Sequence, residues 1–343
     1  MTRAAAAATI DGMKAIVQER YGPPSVLRYA EVATPVPAAD EVLVRVHAAG
    51  VNAADWHMLR GDPKLARLTV AGFGLRGPKQ SIPGRDFAGV VESAGSAVED
   101  LSPGDEVYGT SAGAFAEYVC AKSGTVARKP AGLTFEEAAA LPLAGVTALG
   151  GLRDLAAAQP GGRLLVNGAS GGVGMFAVQL AKAMGLHVTG VCSTRNLELV
   201  TGFGADEVID YTRHDFTRGG RRYDVVFDLV ANRSLAALRR AVTPAGVLIL
   251  AGGGVYTGGS LVGPMGLVIV GLLTGRLVRQ RIVLLAAAPD RERLDTLREY
   301  VEAGHVRPVI ERTYPLHRAA AAITHLETEH ARAKIVITCR IEG

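Results

Sequence analysis

Three glycines set three residues apart, Gly168, Gly171 and Gly174, stand where an apolar run, Leu164–Leu165–Val166, hands over to a helical pattern that begins at Val173. The chemistry such a turn can do is to hold a pyrophosphate. Gly168 permits the sharp turn, Gly171 lets the backbone approach the phosphates, and Gly174 lets the helix pack closely on the strand. The helix N-terminus adds free N–H groups and partial positive charge. A readable strand before the turn and a readable helix after it make the spacing specific. About twenty residues on, a dinucleotide-binding sheet chooses between a ribose hydroxyl and a ribose 2′-phosphate. The chain reads Val191–Cys192–Ser193–Thr194–Arg195–Asn196 there. No acid stands in place to repel a phosphate, Ser193 can donate a hydrogen bond, and Arg195 offers a charged fork. NADPH is therefore expected over NADH. The plainer alternative makes Arg195 only an exposed residue at a helix start.

These groups need elements to hold them. From Lys14 to about Gly132 the pattern is of short strands broken by Gly and Pro: Lys14–Gln18, Glu41–Ala48, Phe87–Ser93 and Glu106–Gly109. From Thr134 the period changes. Helices are expected over Glu136–Leu141 and Ala144–Ala158, and then strands and helices alternate. The strands are Arg163–Asn167, His187–Cys192, Glu207–Tyr211, Asp224–Leu229, Val247–Ala251 and Gln280–Ala286. The helices are Val173–Met184, Leu197–Phe203, Ser234–Val242 and Pro289–Ala303. Such alternation implies parallel strands with crossover helices, a doubly wound sheet. The tail, helix Ala319–Glu327 and strand Ala333–Cys339, is expected to rejoin the first half. At 343 residues, two domains are anticipated.

Composition closes off several classes. Cys120, Cys192 and Cys339 lie far apart without CxxC or CxxH spacing. That excludes a disulfide framework and a cysteine-built structural zinc site, and it fits a reducing cytoplasm. The net charge of +4 is scattered, and the basic run Arg218–Arg222 lacks flanking aromatic residues, so no nucleic-acid partner is expected. Residues 1–12 read as a frayed extension rather than a signal peptide, with Met13 an alternative start. Leu261–Leu273 is too short to span a bilayer, contains Gly and Pro, and is followed by Arg276, Arg279 and Arg281. It reads as a buried helix or a substrate-pocket wall, with an interfacial membrane contact as the alternative.

The ordered series Tyr21–Arg28 (YGPPSVLR), Ala48–Gly61 (AAGVNAADWHMLRG), Gly84–Val91 (GRDFAGVV), Gly104–Gly109 (GDEVYG), Gly168–Gly174 (GASGGVG) and Gly204–Tyr211 (GADEVIDY) resembles the medium-chain dehydrogenase/reductase superfamily, in its zinc-independent quinone-oxidoreductase branch. The resemblance runs from Met13 to Ile337. It implies an α/β protein with a GroES-like, partly open β-barrel catalytic domain (13–133 and 308–343) and a doubly wound parallel-sheet Rossmann NADP-binding domain (134–307). The active cleft would lie between them. By the same resemblance Ser170, Gly172 and Val173 belong to the pyrophosphate turn, Ser193 to the 2′-phosphate site and Tyr211 to the adenosine side. Leu250, Gly252 and Leu284 fall on the nicotinamide side. His330, Ala331 and Arg332 open a segment, HARAK, similar to the family's HARGK, with Ala333 where glycine is usual.

Zinc-dependent relatives place Cys, His and a further Cys where this chain holds Asn52, Arg85 and Ala144. Neither Asn nor Arg serves as a substitute ligand, so no metal is expected. Without a Lewis acid an alcohol is hard to oxidise, whereas a quinone or enone is already electrophilic. The expected reaction is hydride transfer from NADPH to such an acceptor. Asn52 is expected to bind its oxygen, with Asp55, Trp56 and His57 lining the pocket. Trp56 would stack on a flat ring or pack in the core, and His57 or solvent would supply a proton. Arg85 and Asp86 are expected to form a structural charged pair. The alternatives are an enoyl-thioester reductase and a non-catalytic NADPH-binding protein. A homodimer is expected by resemblance.

Overall fold

The computed structural model describes residues 12–70, 72–253, 258–263, 265–285, 289–329 and 332–339. The first half is β-rich. β1 (Met13–Val17) and β2 (Arg28–Val32) pair antiparallel. β3 (Glu41–Val51) follows, then α1 (Ala53–Arg60), α2 (Ala66–Thr69), β4 (Asp86–Ala94), β5 (Glu106–Thr110), β6 (Tyr118–Lys122) and β7 (Val126–Arg128). β3 is the spine of this half. One of its edges carries β4 throughout, while the other changes partner, taking β6 over Glu41–Arg45 and β15 (Lys334–Thr338) over Ala48–Val51. Two register shifts against β4, at Leu43/Val44 and Val46/Ala48, bend the strand further. The result is a curled seven-stranded sheet ordered β14-β15-β3-β4-β5-β7 with β6 beside β3, where β14 is Ile310–Pro315.

α3 (Phe135–Ala139) and α4 (Pro142–Leu149) lead into the second half. There β8 (Arg163–Asn167), α5 (Gly172–Ala183), β9 (His187–Cys192), α6 (Leu197–Gly202), β10 (Glu207–Asp210), β11 (Tyr223–Asp228), α7 (Leu235–Arg240), β12 (Val242–Leu250), α8 (Met265–Gly275), β13 (Arg281–Leu284) and α9 (Arg291–Glu302) succeed one another. The six strands are parallel in the order β10-β9-β8-β11-β12-β13, so the order reverses beside β8, where such sheets bind ligands at their carboxyl ends. Both faces are buried. Val166, Val225, Phe227 and Ile249 face one core, and Leu165, Val226, Leu248 and Ile282 the other. The chain then returns through β14, α10 (Ala319–Thr328) and β15.

Several elements depart from the sequence reading. The single helix expected over Ala144–Ala158 is α4 followed by a π-wound turn, Gly150–Leu155. The glycine pair there lets Phe227 come close: a Cβ on Gly151 would lie 2.7 Å from its ring. β12 begins at Val242, not Val247, because Val242 already pairs with Tyr223 ahead of a register break. The segment expected as a buried helix or pocket wall does contain a helix, α8, but only its Gly271 is buried; Ile269, Val270, Leu272 and Leu273 are exposed.

Candidate functional site

Asn52 sits where β3 becomes α1, in extended geometry (φ −128°). Its backbone N–H donates to Asp55 Oδ2 at 2.7 Å, so a carboxylate inside the helix secures the end of the strand. The Asn52 amide itself turns to two buried charges. Its Oδ1 accepts from Lys334 Nζ at 2.7 Å, and its Nδ2 donates to Asp86 Oδ2 at 2.9 Å. Lys334 Nζ also donates to the Val51 carbonyl at 3.1 Å, and Asp86 accepts from the Leu143 N–H at 3.2 Å. Lys334 and Asp86 stand 3.9 Å apart with 2 % and 0 % of their side chains exposed. The amide is thereby oriented, acceptor end to the ammonium and donor end to the carboxylate. The second N–H of Nδ2 has only a long contact, 3.4 Å to the Gly50 carbonyl.

Burial pushes the Asp55 carboxyl up to about 7, against the hydrogen bond from the Asn52 backbone. It pushes Asp86 up to about 6, against the attraction of Lys334. Burial also drives Lys334 downward, opposed by Asp86 and Asp55. A buried cluster with both carboxyls poised close to neutral pH is a common feature of active sites.

Trp56 is 4 % exposed and packs in the core with Leu59 and Phe115. Its ring partner is His57, stacked at 3.6 Å between centroids. His57 Nδ1 lies 2.8 Å from the Asp62 carbonyl, and burial holds the imidazole below its ordinary pKa. The expected pair of Arg85 with Asp86 is not what the structure places here. Arg85 is exposed, and Asp86 is taken by Lys334, Asn52 and the Leu143 N–H. A carboxylate with no water needs close partners, and β15 brings a buried ammonium to it.

At the second centre, β8 runs directly into Gly168, whose φ is +92°. The N–H groups of Gly168 and Ala169 both donate to the Val191 carbonyl, at 3.1 and 3.0 Å, tying the turn to the end of β9. A Cβ on Gly174 would lie 2.2 Å from the Gly168 carbonyl oxygen, so only glycine fits. α5 opens from Gly171 through Gly172 and Val173, and its first amides have no partner within the helix. Asn196 Nδ2 donates to Ser170 Oγ at 3.0 Å and reaches Ser193 Oγ at 3.4 Å, joining the glycine turn to the end of β9. The Asn196 Oδ1 and the Arg332 Nε are buried with no hydrogen-bond partner among the described residues. Arg195 is exposed and donates to the Glu329 carbonyl at 2.6 Å. Ala333 N donates to the Ser170 carbonyl at 2.7 Å and holds the left-handed φ of +59° that glycine adopts without strain. A glycine cradle with free amides, two serine hydroxyls and two guanidinium groups close by fits the phosphates of a dinucleotide.

Tyr211 follows β10 and is 44 % exposed. Leu250 and Leu284 are register partners at the carboxyl ends of β12 and β13, and Gly252 follows with φ +72°. His330 and Ala331 lie outside the described residues. Lys334 joins the two centres: a Cβ on Gly172 would lie 2.9 Å from its Cδ, while its Nζ reaches Asn52. Sequence reasoning passed over Lys334, Asp86 as its partner, and Asn196. The signal for Lys334 was present, since a lysine opening an apolar strand, Lys-Ile-Val-Ile-Thr, must find an acid if that strand is central.

Comparison with known proteins agrees with the fold. Residues 38–131 match the family described as alcohol dehydrogenase GroES-like domain, and residues 203–337 match zinc-binding dehydrogenase. The chain is similar to the mitochondrial NAD(P)H oxidoreductase RTN4IP1 of Mus musculus, 34% identical over 95% of this chain and 89% of the relative. It is equally similar to the chloroplastic NADPH-dependent alkenal/one oxidoreductase of Arabidopsis thaliana, 34% identical over 95% of this chain and 79% of that one. Among solved structures, the quinone oxidoreductase of Escherichia coli complexed with NADPH superposes with a TM-score of 0.81 at 25% identity, covering 95% of this chain and 100% of its own.

Proposed function

The chain belongs to the quinone-oxidoreductase branch of the medium-chain dehydrogenase/reductase superfamily, and on that premise we propose that it carries a hydride from NADPH to a quinone or an enone without zinc. In this reading residues 13–133 with 308–343 form the catalytic unit and 134–307 the NADP-binding unit. The observation that carries it is the Asn52 amide, oriented by Lys334 and Asp86, with its second N–H held only by the long 3.4 Å contact to the Gly50 carbonyl. When bound, NADPH supplies the hydride. The turn Gly168–Gly174 with Ser170 holds its pyrophosphate, Ser193 and Arg195 favour a 2′-phosphate over a hydroxyl, and Tyr211 borders the adenosine. Arg332 flanks the turn, and Leu250, Gly252 and Leu284 border the nicotinamide side.

Asn52 holds the acceptor oxygen. The Lys334 ammonium on its Oδ1 polarises the amide, so the N–H donates more strongly as that oxygen gains charge. Burial lowers the His57 pKa and the Asp62 carbonyl engages its Nδ1, so the completing proton is assigned to solvent. Zinc independence is supported by the donor set: Asn52 and Arg85 occupy the places of ligands. The enoyl-thioester alternative loses support, because α8, which an acyl channel would use as a wall, lies largely on the surface. A homodimer through the open edge of β13 belongs to the same reading, and the molar mass in solution tests it.

The test of function is oxidation of NADPH and of NADH with quinone and enone panels, with and without chelator, for wild type and Asn52→Ala. Chelator-resistant turnover preferring NADPH, reduced about a hundredfold in Asn52→Ala, is the expected result. NADPH binding with no turnover on either panel would assign a non-catalytic role. Chelator-sensitive alcohol oxidation would overturn the zinc-free mechanism.

A further inference from the structure

A helix that is apolar on every side belongs in a core. α8 (MGLVIVGLLTG) is such a helix, yet it lies on the surface. Its inward residues, Leu267 and Gly271, pack toward β12 and β13, while Ile269, Val270, Leu272 and Leu273 are 45–59% exposed. Leu277 follows at 87% and Leu261 precedes at 69%. The loop before α8 is stitched to the segment after α1. Lys64 and Leu65 donate backbone hydrogen bonds to the carbonyls of Ser260 and Leu261, and Ser260 N donates to Asp62 Oδ1 at 2.6 Å. That second segment adds Leu68 at 72% exposure and Leu75 at 70%. The two segments are joined at Lys64–Leu65 and Ser260–Leu261, and each exposes apolar side chains, beside the loop on which His57 rests.

Asp62, which holds the loop, is buried, and the exposed charge along the two segments has one sign. No Asp or Glu occurs between Asp62 and Asp86, nor between Asp228 and Asp290. Lys64, Arg76, Lys79, Arg276 and Arg279 are exposed within those stretches. The acid adjoining Gly77, Glu19, is engaged by Arg28. A second copy of this chain is a poor match for α8, since two-fold pairing would bring Arg276 and Arg279 against the same acid-free face. At 11 residues α8 reaches about 16 Å, half of what crossing a bilayer needs, so it can only lie within the interface.

We propose that α8, the 258–263 loop and the 64–79 segment form a docking surface for an anionic lipid bilayer. Apolar side chains would enter the headgroup boundary, and the arginines and lysines would meet lipid phosphates. The surface stands independently of the proposed chemistry. If that chemistry holds, it puts the cleft at the membrane where lipid-soluble acceptors reside.

The full chain is tested by co-sedimentation with vesicles of phosphatidylcholine alone and of phosphatidylcholine with phosphatidylglycerol in equal parts. Wild type is expected to bind the anionic vesicles in a salt-dependent way and to leave the neutral ones. Arg276→Gln/Arg279→Gln should bind roughly fivefold more weakly per arginine removed. Leu272→Glu/Leu273→Glu should lose binding while keeping the wild-type circular dichroism, molar mass and turnover of a short, water-soluble quinone. If the glutamate variant fails to fold, the arginine variant, which touches only exposed side chains, decides the matter. No binding by wild type to anionic vesicles overturns the proposal. So does binding that survives both substitutions, or binding lost only together with a change in molar mass, which would assign the face to a second copy.

Discussion

Lys334 and its partners concentrate the energetics of the site in a few atoms. Lys334→Met leaves Asp86 and the Asn52 Oδ1 facing an apolar side chain, and losing one member of a buried pair costs about 3–5 kcal/mol. Urea unfolding is expected to show that loss. Adding Asp86→Asn should restore most of the stability but not kcat, because the polarising charge on Asn52 stays absent. Asp55 sets a pH dependence. Its carboxyl is raised from 3.8 to about 7, so the folded state holds a proton that the unfolded state releases earlier. Stability from this group is complete below the unfolded pKa and is lost as pH rises through about 7. Asp55→Asn keeps an acceptor for the Asn52 N–H, so its melting temperature should overtake that of wild type increasingly as the buffer moves from mildly acidic to mildly alkaline. A constant difference across that range would show that Asp55 is ionised throughout. At this scale the sequence was legible where spacing implies geometry, as at Gly168 and Gly174. It was silent where chemistry depends on a fold neighbour: nothing beside Asp86 in the chain announces a lysine from the far end, and Arg85 next door misdirects.

At the scale of elements, the strand–turn–helix of β8 and α5 is closed by a single contact. Gly174→Ala would drive a methyl group into the Gly168 carbonyl. The helix must then shift, at about 1–3 kcal/mol, and the amides facing the pyrophosphate shift with it. Fluorescence titration is expected to find NADPH binding at least tenfold weaker, with the sheet still folded by circular dichroism. Unchanged affinity would remove the turn from the cofactor site. Parallel strands such as β8, β9 and β11 were readable because burial on both faces makes continuous apolar runs. β6 and β14 were not legible: β6 is a short strand on β3 without a clean period, and β14 is exposed over most of its length at the edge of its sheet. α1 was hidden because its eight residues, AADWHMLR, are too few to show a helical period and bury Asp55 beside Trp56 and Leu59.

At the scale of the molecule, one core cluster runs from Ala48 and Tyr108 of the curled sheet through Leu141 and Leu149 to Phe176 of α5 and Phe227 of the parallel sheet. Tyr108 Oη also donates to the Leu294 carbonyl at 2.5 Å across the halves. Heat should therefore unfold both in one calorimetric transition. NADPH at a hundred times its dissociation constant should add about 2.7 kcal/mol and move that transition upward whole. Two transitions, only one of them shifted, would mean that the halves are thermodynamically separate. The change from strand-rich to alternating pattern near Thr134 was plain in the sequence; the continuity of the core was not, since Ala138 to Leu149 reads as any small-residue helix. The position of β15 has a consequence for biosynthesis. Lys334 pairs with Val51 across 283 residues, and the strand it opens lies between β14 and β3 in the middle of the first sheet. A ribosome must thus finish residues 134–307 before the earlier half can close, and until then β3 leaves its edge over Ala48–Val51 unpaired. The nascent chain waits half-built, with that edge open to chaperones and to other chains alike, and the same late strand that closes it delivers Lys334 to Asn52 and Asp86.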